Sequence, residues 1–132
     1  MKKIMLVIVA ALLATAAISA EKRYGVYGVM FYNLENMFDT INNNGKYDSE
    51  FTPDGARKWN GQKYWSKQHN MAYAISQMKT KHTPMGPAIV GVSEVENKSV
   101  LQDLVKQPEI KDWHLQIVHH DSPDRRGIDV AL

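Results

Sequence analysis

The chain of 132 residues contains no cysteine, which excludes disulfide staples, thiolate metal sites and a lipid-modified cysteine anchor. Any bound metal must therefore be held by oxygen or imidazole donors. No acidic residue occurs between Gly55 and Ser93, although Arg57, Lys58, Lys63, Lys67, Lys79 and Lys81 do. That run is able to steer an anionic partner, but a solvated helix face is the simpler account. Internal repeats and low-complexity tracts are absent too, which excludes solenoids and biased linkers. The one long apolar run, Ile4 to Ile18, is shorter than the ~20 residues a membrane span needs.

That run follows Lys2 and Lys3 and ends in Ala17, Ser19 and Ala20, the pattern of a cleaved secretory leader over residues 1–20. The expectation is a secreted or periplasmic protein with no membrane attachment after cleavage. Lys2 and Lys3 belong to the leader and no acid does, so the formal net charge of +2 disappears with it. Basicity then gives no ground for a nucleic-acid partner. Residues 21–132 suffice for one small domain with a core.

Valine and aromatic residues from Val26 to Tyr32 predict a first strand. Asp39 to Asn60 is rich in Asn, Gly, Pro and Asp and reads as a long surface loop, a kind that is often functional. Tyr64, Met71, Ile75 and Met78 recur at helical spacing, which predicts an amphipathic helix ending near Lys81 to Pro84, with the methionines as core filler. Ala88 to Val92 predicts a buried strand and Lys98 to Lys106 a second helix, with Val100, Leu101, Leu104 and Val105 inward and Pro108 beyond. His114 to His119 alternates as a strand, Asp121 to Gly127 turns, and Ile128, Val130 and Leu132 begin another strand. The order predicts an α/β sheet with helical crossovers followed by a hairpin. Leu132 falls within a strand pattern, so the chain is expected to be truncated in mid-strand.

Two residues stand where α/β sheets place ligands, at the carboxyl ends of strands. Glu94 follows the buried strand, where a carboxylate can hold a hard cation; the alternative is a solvated acid paired with Lys98. Asn33 ends the first strand, where an amide can order a phosphate oxygen or a metal-bound water; the alternative is a turn cap. If the strands are parallel neighbours, the two approach one point. Other candidates are weaker. His119-His120-Asp121 lies along one strand, whose neighbouring side chains point to opposite faces. Thr40 to Phe51 imitates a calcium loop through Asn42, Asn44, Gly45 and Asp48, yet carries Thr40 and Phe51 where carboxylates are required.

The segments Phe31-Tyr32-Asn33-Leu34-Glu35-Asn36-Met37-Phe38, Gly91-Val92-Ser93-Glu94-Val95-Glu96-Asn97 and Ser122-Pro123-Asp124-Arg125-Arg126-Gly127-Ile128-Asp129-Val130-Ala131-Leu132, taken in this order, resemble the endonuclease/exonuclease/phosphatase family, the deoxyribonuclease-like metallohydrolases. Glu50-Phe51-Thr52-Pro53 and Trp59 to Tyr64 extend the resemblance over nearly all of residues 21–132. It implies the amino-terminal half of a four-layer α/β sandwich that cleaves phosphodiester or phosphomonoester bonds with Mg²⁺, or Mn²⁺ or Ca²⁺. The implied substrate is a phosphate ester, with nucleic acid first and lipid head groups or sugar phosphates open.

By the same resemblance Glu94 is the metal-binding glutamate, Asn33 the asparagine that helps order metal and phosphate, and Arg126 a substrate contact, an exposed turn arginine being the alternative for the last. Glu96 departs from the deoxyribonuclease-type pattern, in which a basic residue follows the glutamate by two, and an acid there would repel a nucleic-acid backbone. The family's aspartate-histidine, glycine-aspartate-phenylalanine-asparagine and serine-aspartate-histidine elements are not found in the sequence. A general base is therefore unassigned, and this chain alone is expected to hydrolyse nothing at a useful rate. The rival expectation is an exported, non-catalytic α/β binding module that uses Asn33 and Glu94 as turn residues.

Overall fold

A computed structural model describes residues 24–42 and 45–132, so the leader lies outside the described residues. Three strands form one sheet in the order β1 (Val29–Met37), β2 (Ile89–Val95), β3 (Asp129–Ala131). β1 and β2 run parallel, with Val29 opposite Ile89 and Asn33 opposite Ser93, whereas β3 is antiparallel to β2. The crossover from β1 to β2 carries helix α1 (Gly61–Ser76), and that from β2 to β3 carries α2 (Lys98–Val105). A parallel pair needs such a crossover because a tight turn cannot reverse the chain twice.

Both helices start where an asparagine side chain can take up an orphan amide. Asn60 Oδ1 accepts the Lys63 N–H at 3.1 Å and Asn97 Oδ1 accepts that of Val100 at 3.0 Å. The inward faces then meet one side of the sheet. Leu34, Met37, Val92, Val95 and Ala131 pack with Tyr64, Ala72 and Ile75 of α1 and Val100, Leu101 and Leu104 of α2. A fully buried side chain such as Leu34 or Ile75 contributes roughly 1.5–3 kcal/mol by leaving water. The opposite side of the sheet presents Val29, Phe31, Ile89 and Val130, which are between 48% and 70% exposed.

A second, smaller cluster anchors the long 39–60 segment. Phe51, in a short 3₁₀ turn at Ser49–Phe51, stacks on Phe38 with ring centres 4.1 Å apart, and Trp59 meets Phe51 edge-on while donating its indole N–H to the Phe38 carbonyl. The position that a calcium loop would fill with a carboxylate is thus a core aromatic. The segment is a surface strap, mostly exposed among its described residues and pinned to the core at Phe51 and Trp59.

Several boundaries differ from the sequence-based expectation. β1 and β2 extend five and three residues further than Tyr32 and Val92, so Asn33 and Glu94 lie inside strands rather than after them. α1 ends at Ser76, which leaves Met78 44% exposed instead of in the core. Between Lys111 and Trp113 an unanticipated 3₁₀ turn follows α2. His114 to His119 forms no regular strand; it meets the end of the chain through a bridge of His119 to Ala131 and paired backbone bonds between Val118 and Leu132. No helix among the described residues is long and apolar enough to cross a membrane.

Candidate metal-dependent active site

The ladder breaks where Glu94 stands. Ser93 and Val95 pair with the successive residues Val130 and Asp129, so Glu94 is the extra residue of a bulge. On the other side the register jumps from Asn33 opposite Ser93 to Met37 opposite Val95, which leaves Leu34, Glu35 and Asn36 facing Glu94 alone. Glu35, Asn36 and Glu94 all have left-handed backbones, with φ of 53°, 58° and 58°. Each such non-glycine residue costs on the order of 1 kcal/mol or more, so three together are an investment of stability at one point of the sheet.

The strained bulges hold a carboxylate in place. The Asn36 N–H donates to Glu94 Oε2 at 3.0 Å, the one hydrogen bond to this carboxylate among the described residues. Two cations lie within its electrostatic reach. Lys67 of α1 feels the field of Glu94 and Glu35, and burial lowers its pKa from the ordinary lysine value. Arg126 also feels Glu94, but its guanidinium is committed to Asp124 by two hydrogen bonds of 3.1 and 2.7 Å, which raise the pKa of the arginine and hold that of Asp124 down at about 2. A recess of about 240 Å³ beside the bulge is lined by Glu35, Asn36, Arg57, Trp59, Lys63 and Lys67.

The expected site residues fall as follows. Asn33 and Glu94 sit at the same carboxyl edge of the parallel pair, since Asn33 is opposite Ser93. Asn33 Oδ1 is engaged locally, accepting the Glu35 N–H at 2.6 Å, and the residue lies on the exposed side of β1. Arg126 is 71% exposed on the turn that precedes β3. Lys67, Asn36 and Asp124 were not singled out as site residues, and for Lys67 the acid-free run was the available signal. Arg57, Lys58, Lys63, Lys79 and Lys81 are exposed, as a solvated face requires, and Lys67 is the half-buried exception, donating to the Glu35 and Asn36 carbonyls.

Glu96 requires a correction. It is 4% exposed, accepts the Asp39 N–H at 2.7 Å and hydrogen-bonds the buried Asp48 carboxyl. Burial first, and then the neighbouring charges of Asp39 and Asp48, push its pKa up to about 8. The carboxyl faces inward and its protonated form is favoured by burial, so it presents little charge to the surface. His120 joins no group of potential metal donors among the described residues, whereas His119 and Asp121 do. With Asp129 they place three potential metal donors within 4.8 Å of one another, because the bridge to Ala131 and the turn fold the segment back on β3. His119 Nε2 already lies 2.9 Å from Asp129 Oδ2, which accounts for the group as a buried tie across the hairpin.

The donor set suits a hard cation. Glu94 keeps one oxygen clear of hydrogen bonds among the described residues, it is half-buried, and no thiol competes. An ion such as Mg²⁺ needs only one or two protein carboxylates, with waters and substrate oxygens completing its shell. A parallel strand pair with helical crossovers and a carboxylate at its carboxyl end defines a mixed α/β protein with an oxygen donor at its sheet edge. Residues 28–132 match the endonuclease/exonuclease/phosphatase family, and the chain belongs to it. Membership makes a hydrolase of nuclease or phosphatase type the coarse functional class. No curated protein and no solved structure matches the chain.

Proposed function

We propose that this chain is the amino-terminal part of an exported, divalent-metal-dependent phosphoesterase, with a phosphodiester such as nucleic acid as the first substrate class and phosphomonoesters as the next. The supporting observation is the carboxylate of Glu94, raised on a strained bulge and held by the Asn36 amide at the carboxyl edge of the parallel pair. In this reading Glu94 binds the ion, and Asn33, on the same edge, orders a phosphate oxygen or a metal-bound water through its amide. Arg126 meets substrate once it exchanges Asp124 for a phosphate, a swap of one bidentate anion for another. The ion, when bound, offsets charge on the phosphate oxygens and steadies the leaving group.

A four-layer sandwich belongs to the same proposal. The apolar side of the sheet, with Val29, Phe31, Ile89 and Val130 exposed, is the surface on which a second sheet would pack. A non-catalytic binding module is the second reading, favoured by the engagement of Asn33 Oδ1 in its own turn.

Mn²⁺ binding to the 132-residue chain, followed by electron paramagnetic resonance, tests the site directly. Binding by the parent and its loss in Glu94→Gln is the expected outcome; equal binding by both removes Glu94 from any metal site. Hydrolysis of bis(p-nitrophenyl) phosphate by this chain alone is expected to stay at background with or without Mg²⁺, since no residue in it is assigned as the general base.

A further inference from the structure

We propose that Lys67 is a positioning residue for Glu94, acting through the single peptide unit that joins Glu35 to Asn36. The inference deepens the metal-site reading above and rests on it for its functional meaning. Across Leu34 to Asn36 the β1 ladder is interrupted, so the backbone groups there need partners from outside the sheet. For the Glu35 and Asn36 carbonyls Lys67 is such a partner, the latter also accepting the Phe38 N–H. Its ammonium donates to the Glu35 carbonyl, and to that of Asn36 at 3.3 Å, while the Trp59 ring lies 5.7 Å from the same nitrogen.

The Glu35 carbonyl and the Asn36 N–H belong to one planar peptide, in which they point in opposite directions. Fixing one end therefore fixes the other. Lys67 holds the carbonyl, and the amide at the far end holds Glu94 Oε2 at 3.0 Å. A cation on the carbonyl also polarises the peptide and strengthens the bond that its N–H gives to a carboxylate. The left-handed backbones of Glu35 and Asn36 leave this peptide strained, and a charged donor from a helix is a means of keeping it so.

The proposal makes a prediction of sign. If Lys67 only added positive charge near Glu94, its removal would tighten binding of a divalent cation. If it positions the carboxylate, removal weakens binding despite the gain in electrostatics, in the 10–100-fold range typical of groups that orient a metal ligand.

The test uses the ¹⁵N-labelled 132-residue chain and two readouts, hydrogen exchange of the Asn36 amide without metal and affinity for Mn²⁺. Lys67→Met is expected to speed Asn36 exchange and to weaken Mn²⁺ binding about tenfold, with circular dichroism unchanged. Lys67→Arg, which keeps the charged donor, is expected to restore much of both. Should the methionine variant not fold, Lys67→Gln carries the same readouts. Unchanged Asn36 exchange, or tighter Mn²⁺ binding in the neutral variant, overturns the proposal. Faster Asn36 exchange in a chain whose parent binds no Mn²⁺ would keep the positioning of Glu94 and overturn the metal reading instead.

Discussion

The buried carboxyl of Glu96 makes the stability of this protein fall as pH rises, and its amide replacement should abolish that fall. In the folded chain its pKa is about 8, against 4.5 for an unperturbed glutamate. A raised folded pKa means that the favourable, protonated state is fully present below 4.5 and is lost as pH climbs through 8. Each pH unit between those values costs about 1.4 kcal/mol for one group, so the whole window is worth up to several kcal/mol, a large share of the 5–15 kcal/mol of a typical domain. Glu96→Gln keeps an acceptor for the Asp39 amide and a donor for Asp48, and it does not ionise.

Urea unfolding followed by circular dichroism at pH 5, 6, 7, 8 and 9 reads the effect. The parent midpoint should drop relative to the variant between pH 5 and 8 and run parallel to it above 9. Because every other titrating group is common to both chains, parallel midpoints across the whole range would refute the reasoning.

Gly55→Ala places a Cβ 2.3 Å from the Ser49 carbonyl oxygen and 2.7 Å from that of Glu50, both backbone atoms, so the strap must shift; a loss of about 1–3 kcal/mol is expected in urea titrations. Ile75→Ala empties a 1%-exposed site between α1 and the sheet and should cost about 2–5 kcal/mol by the same measurement.

Much of the architecture was legible in the order of the residues. Alternation and buried runs located β1, β2 and β3, helical spacing located α1 and α2, and the strand-helix-strand order led to the parallel pair that carries Asn33 and Glu94 on one edge. The boundaries were less accessible for an identifiable reason. Asn33 and Glu94 looked like strand ends because polar residues break the apolar pattern there. The structure instead carries the strands through bulges to Met37 and Val95, which are buried. Bulges depend on which residues face each other across strands, and that pairing is not written in either segment alone. The same holds for the early end of α1 and for His114 to His119, where packing against Leu132 replaces a full ladder.

Composition and motif order on their own determined that this protein lacks thiol chemistry, that any metal meets oxygen or imidazole, and that its three segments follow the pattern of the family it belongs to. Tertiary structure decided the electrostatics. Glu94 and Glu96 are two residues apart and chemically identical, yet one is half-buried within the fields of Lys67 and Arg126, while the other is sealed against Asp48 with its pKa pushed up to about 8. A carboxyl group's charge is set by the solvent and partners around it, and those arrive from residues distant in the chain, through folding alone.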